Sequence, residues 1–137
     1  MKQTLKLFFA FLITAFSFSI AFSQEKKQNE NQRYIFFFHN KFVEENDLNV
    51  SHPEYGKAEY NQILESFRKD NFIVFSEKRK KNTNAADYAE KVVKQIQKLI
   101  KKGVKPNKIT VIGTSKGGYI AQYVSTYLAN PDVNFVF

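Results

Sequence analysis

Four short apolar runs, separated by stretches of helical periodicity, limit this chain to few architectures. The runs are Tyr34 to Phe38 (YIFFF), Phe72 to Phe75 (FIVF), Ile109 to Ile112 (ITVI) and Val133 to Phe137 (VNFVF). A strand with one solvated face alternates apolar and polar residues, whereas a continuous apolar run suits a strand covered on both faces, as in a parallel sheet. Between the first two runs, Lys57 to Asp70 sets Tyr60, Ile63, Leu64 and Phe67 on one helical face. A longer helix opens on Thr83 or Asn84 as its cap, carries Ala89, Val92, Val93, Ile96, Leu99 and Ile100 inward, and stops at lysines followed by Gly103. A third, Lys116 to Ala129, turns Ile120, Val124 and Leu128 inward. The order β-α-β-α-β-α-β predicts an α/β fold of three layers, a mostly parallel sheet with helices on both faces joined by right-handed crossovers. His39 to Gly56 reads as a long polar loop, and such loops inside a compact domain usually serve function. The sequence stops within its last apolar run, so the domain is expected to be incomplete, as if cut short at its C-terminal side.

The first two dozen residues belong to another class. MKQTLKLFFAFLITAFSFSIAFSQ begins with Lys2 and Lys6, runs through Phe, Leu, Ile and Ala, and reaches Ala21 and Ser23 before turning polar at Gln24. A basic start, an apolar middle and small residues at the −3 and −1 positions make a secretory signal peptide, expected over residues 1–23. An uncleaved membrane anchor is the alternative, since the apolar stretch is nearly long enough to span. Either way the chain is expected to be exported through the Sec pathway, to the periplasm or beyond the cell, with no stable membrane span after cleavage. Residues 24–33 read as a flexible lead-in, and residues 34–137 as one partial domain.

The chain has no cysteine, which excludes lipidation at a cysteine, disulfides and thiolate metal sites. Its two histidines and scattered carboxylates show no ligand spacing, so no metal or other cofactor is expected. Loss of Lys2 and Lys6 with the leader would lower the formal charge from +8 to +6. The lysines of KVVKQIQKLIKK lie opposite an apolar stripe, as on a solvated helix face, and no nucleic-acid-binding motif accompanies them.

Gly113 to Gly117 (GTSKG) satisfies G-x-S-x-G. A serine held in a strained turn between strand and helix has neighbours two residues away whose side chains would collide, and glycine at both positions removes the collision. The turn lifts the hydroxyl to the end of the sheet and aims the amides of the following helix, with its positive dipole end, at an oxyanion. Here the pattern follows ITVI and opens an amphipathic helix. The phosphate-cradle alternatives, G-x-x-x-x-G-K-[ST] and G-x-G-x-x-G, cannot be read in this sequence.

With the elbow GTSKGG, the strand and loop YIFFFHN, and this order of elements, the chain resembles the α/β-hydrolases from their third to their sixth strand. It is similar in particular to bacterial proteins of that superfamily with a strand ending in His-Gly, an acidic loop, an S-P-E-[FY]-G segment, an S-E-x-R stretch and an [AT]-S-K-G-G elbow. The matching residues are His39 and Asn40, Glu44 and Glu45, Ser51 to Gly56 (SHPEYG), Ser76 to Arg79 (SEKR) and Thr114 to Gly118. The resemblance implies that Ser115 is the nucleophile, that the Lys116 amide forms one side of the oxyanion hole, and that an amide near Asn40 or Lys41 forms the other. Asn40 departs from the glycine usual there; asparagine tolerates left-handed backbone angles, although its side chain could obstruct substrate.

A serine hydroxyl needs a base, normally a histidine oriented by a carboxylate. The resemblance places acid and histidine after the serine, yet no histidine follows Ser115 and Asp132 is the sole acidic residue beyond it. His39 reads as a hydrogen-bonded strut for the oxyanion loop, and His52, on the long loop, as a turn residue or a substitute base. Two functions are open. One is an exported serine hydrolase acting on a small-molecule ester or amide through an acyl-enzyme, inactive as this chain alone. The other is a non-catalytic, hydrolase-like binding protein.

Overall fold

A computed structural model describes residues 31–137; the leader and most of the lead-in lie outside the described residues. The chain divides after Asn31, and the elements below belong to the unit Gln32–Phe137. Strand β1 (Arg33–Phe38) is followed by a short helix α1 (Lys41–Glu45), a two-stranded hairpin of β2 (Ser51–His52) and β3 (Gly56–Lys57), and helix α2 (Tyr60–Lys69). Then come β4 (Phe72–Phe75), α3 (Ala85–Lys101), a 3-10 turn at Pro106–Lys108, β5 (Ile109–Gly113), α4 (Lys116–Leu128) and β6 (Asn134–Val136). The four longer strands form one parallel sheet in the order β4-β1-β5-β6.

The central position of β1 explains its composition. Tyr34, Phe36 and Phe38 enter a core with Ala89, Val92, Val93 and Ile96 of α3 and Ile120, Ala121 and Val124 of α4. Ile35 and Phe37, on the opposite face, pack with Val43 of α1 and Tyr60 and Leu64 of α2. Successive side chains of a strand point to opposite faces, so a strand with helices on both sides has no position left for a polar residue. Phe36 is 1% exposed and stacks on Phe75 at 4.7 Å between ring centroids.

The helix ends follow local chemistry. Asn84 caps α3, its side-chain oxygen accepting from the amides of Ala86 and Asp87. Gly103, beyond the last turn, holds φ +93°, a conformation that costs glycine little.

Three expectations are corrected. The 39–56 segment is not a plain loop: it holds α1 and the β2–β3 hairpin. Helix α2 begins at Tyr60 rather than Lys57, because Lys57 is paired with Ser51 in that hairpin. The strand read at Phe72 to Phe75 is not buried on both faces: β4 is an edge of the sheet, with Ile73 42% exposed. A continuous apolar run marks buried strands only where a neighbour lies on each side.

Replacing Phe36 by alanine removes a ring shared by β1, β4 and the α3–α4 face. The expected loss is about 3–5 kcal/mol of unfolding free energy, read by chemical denaturation; a loss below about 1 kcal/mol would contradict this packing.

Candidate functional site

Ser115 is exposed at the junction of β5 and α4, with φ 52° and ψ −120°. A non-glycine residue in this region is strained and persists only where its surroundings hold it. Here they do so by close approach. A Cβ on Gly113 would overlap the backbone of Gly117, and one on Gly117 would overlap the Phe38 carbonyl. The turn is tied to β1 by the Thr114 amide, which donates to the Phe38 carbonyl at 3.1 Å, and closed on itself by the Gly117 amide donating to the Thr114 carbonyl at 2.9 Å. Ser115 thus sits beyond the C-terminal ends of the two central strands, where parallel sheets hold their ligands.

The loop after β1 lies beside it. Asn40 has φ −69° and ψ 176°, so no left-handed tolerance is needed there. Its side chain turns back to cap α1, accepting from the Val43 amide at 2.9 Å. His39 is 2% exposed, and both ring nitrogens are engaged: Nδ1 lies 2.8 Å from the Asn40 carbonyl, and Nε2 accepts from the Arg79 amide at 2.9 Å. The backbone donor fixes Nε2 as the acceptor and Nδ1–H as the donor. Burial, partly opposed by the bond to the Asn40 carbonyl, lowers the His39 pKa to about 4.

Below this loop is a charge cluster that the sequence reading did not find. The Glu44 side chain is 1% exposed and is held by two cations. Arg79 Nε donates to Oε2 at 3.0 Å, and Lys116 Nζ donates to Oε1 at 2.5 Å and to the Thr83 carbonyl at 2.9 Å. Arg79 Nη2 also donates to the His39 carbonyl at 2.5 Å. Burial alone would raise the Glu44 pKa; the hydrogen bonds from Lys116 and Arg79 outweigh it and hold the carboxyl below its ordinary value. With its ammonium bound to Glu44, Lys116 offers Ser115 no base. Glu44 and Arg79 stood in the quoted motifs without a role, since no periodicity marks a charged side chain as buried.

A cavity of about 390 Å3 opens at Ser115, lined also by Asn40, Lys41, Phe42, His52, Tyr55 and Lys57. His52 and Ser115 therefore share one cleft. The Nδ1 of His52 accepts from the amides of Glu54 at 3.1 Å and Tyr55 at 3.3 Å, which leaves the proton on Nε2. In that tautomer the ring presents a donor to the cleft. No helix among the described residues is long and apolar enough to cross a membrane.

Fold and site together define an α/β protein with a serine turn at the C-terminal ends of its central parallel strands. The model of the Uncharacterised protein family (UPF0227) matches residues 51–136, over half of the chain, and the chain belongs to that family. No curated protein and no solved structure matches it.

The sign of the pH dependence follows from His39. Its folded pKa lies below the ordinary 6.5, so between pH 6.5 and about 4 the unfolded chain binds a proton that the folded chain does not. Stability should be full above pH 6.5 and fall by about 3 kcal/mol by pH 4. His39→Gln should flatten this part of the profile and keep the further loss below pH 4.5 that Glu44 imposes. A wild-type profile flat from pH 7 to 4 in urea denaturation would contradict the assignment.

Proposed function

We propose that the chain is a member of the α/β-hydrolase superfamily carrying the nucleophile side of a serine hydrolase. Ser115 would attack an ester or amide carbonyl to form an acyl-enzyme. The Lys116 amide and an amide of Asn40 or Lys41 would hold the oxyanion. The observation that carries this reading is the positive φ of Ser115 between two glycines that have no room for a Cβ. The parallel strand order β4-β1-β5-β6, which puts the Ser115 turn at the end of a central strand, adds support.

The base is the missing half. Of the two histidines, His39 is engaged at both nitrogens and His52 holds its proton on Nε2. That geometry favours a second reading of these residues taken alone, in which the cleft binds without turnover. Export through the Sec pathway is also proposed, from the basic start, apolar middle and small residues before Gln24. Mass spectrometry of the N-terminal peptide of the native protein should then find it beginning at Gln24, free or cyclised to pyroglutamate; a peptide beginning at Met1 would overturn the signal reading.

An arylboronic acid separates elbow from base, because its tetrahedral adduct needs a placed hydroxyl and oxyanion donors rather than turnover. Phenylboronic acid should give a tetrahedral boron-11 resonance that disappears in Ser115→Ala, while p-nitrophenyl acetate shows no Ser115-dependent hydrolysis. A boron signal that stays trigonal would overturn the nucleophile assignment. Ser115-dependent ester turnover would overturn the view that these residues lack a base.

A further inference from the structure

The chemistry of the Ser115 cleft is one-sided. Its charged lining residues are Lys41 and Lys57, with no carboxylate among them. Lys41 does meet Glu45 at 3.4 Å, but the two side chains are 63% and 41% exposed, and such a pair holds its lysine only weakly. His52 adds a third donor: with its Nδ1 occupied by two backbone amides, the nitrogen left over carries a proton and can only give it.

Beside these donors stands an aromatic platform. The His52 ring stacks on Tyr55 at 4.8 Å and 29°, and Phe42 meets it edge-on at 5.1 Å. Tyr55 is 77% exposed, a large ring with one face unspent. The hairpin is what displays it, since Ser51 and His52 pair with Lys57 and Gly56 and Tyr55 falls in the turn between them. A cavity of about 390 Å3 is of small-molecule size.

We infer that this cleft takes a substrate built on an aromatic ring bearing a carboxylate, the ring against Tyr55 and His52 and the anion toward Lys41 and Lys57. This rests on reading the Ser115 cleft as the substrate site. An aromatic ring gains from offset stacking on the exposed tyrosine. A carboxylate gains from charged donors in a cleft that offers it no opposing carboxylate. A cationic or neutral analogue meets the same lysines and gains nothing from them, which sets the specificity.

The test is binding to Ser115→Ala, so that no covalent step enters and failure of the hydrolase reading, seen with the boronate, is separable from failure here. The purified full-length variant is titrated with benzoate, benzamide, cyclohexanecarboxylate and phenylphosphonate, with the ring protons of the two histidines followed by NMR. Benzoate should shift the His52 resonances and leave those of buried His39 in place. Benzamide and cyclohexanecarboxylate should each bind roughly tenfold more weakly, one lacking the charge and the other the ring. Replacing Lys41 and Lys57 together by alanine should bring benzoate down to the level of benzamide. Equal affinity for benzoate and benzamide, or benzoate binding untouched in the double variant, would overturn the proposal. Phenylphosphonate bound about tenfold more tightly than benzoate would overturn the carboxylate in favour of a phosphoryl group.

Discussion

The buried carboxylate of Glu44 is the interaction on which the site depends. Three segments leave the C-terminal ends of parallel strands: the β1 loop with α1, the stretch after β4, and the turn after β5. Such segments have no ladder hydrogen bonds to hold them together. Glu44 supplies the link, with Arg79 from the second on one oxygen and Lys116 from the third on the other. His39 extends it, accepting the Arg79 amide on its ring and the guanidinium on its carbonyl. Removing a buried charge from water is costly, and one anion with two cations repays the cost only while every member is present. The cluster thus acts as a latch that favours one arrangement of the three loops around Ser115.

The latch and the glycines do different work. Gly113 and Gly117 permit the strained serine, the first by leaving room for the backbone of Gly117 within the turn and the second by leaving room for the Phe38 carbonyl of β1. The latch fixes where that turn lies relative to the loop carrying Asn40. Lys116 joins the two functions in one residue: its amide lies next to Ser115, and its side chain reaches back to Glu44 and to the Thr83 carbonyl at the mouth of α3. A change at Glu44 would therefore reach the serine without touching it.

Much of this arrangement was legible in the sequence, for reasons that can be named. The runs YIFFF and ITVI announce strands because continuous, β-rich apolar runs of that length suit a covered sheet, and the spacing of Ala89, Val92, Val93 and Ile96 announces the helix that packs on them. The elbow was legible because its steric demand is local, set by two glycines within five residues. The latch was not. Glu44 and Arg79 are 35 residues apart, and buried charges of that kind arise from tertiary contacts that no spacing encodes. The hairpin at Ser51 to Lys57 was hidden for a similar reason, its strands being two residues each and too short for any alternation to show. The run FIVF misled because an apolar run shows that a strand can be buried, while its place in the sheet decides whether it is.

The most direct test of the latch is hydrogen exchange of individual amides in Glu44→Gln against the wild type. The informative amides are those of Val43, Arg79, Thr114 and Gly117, each bonded across or within the three loops. If Glu44 holds the loops, their protection falls by roughly tenfold or more while the amides of β1 and β5 within the sheet keep theirs. If the four loop amides keep their wild-type protection in the variant, Glu44 is not what holds Ser115 in place.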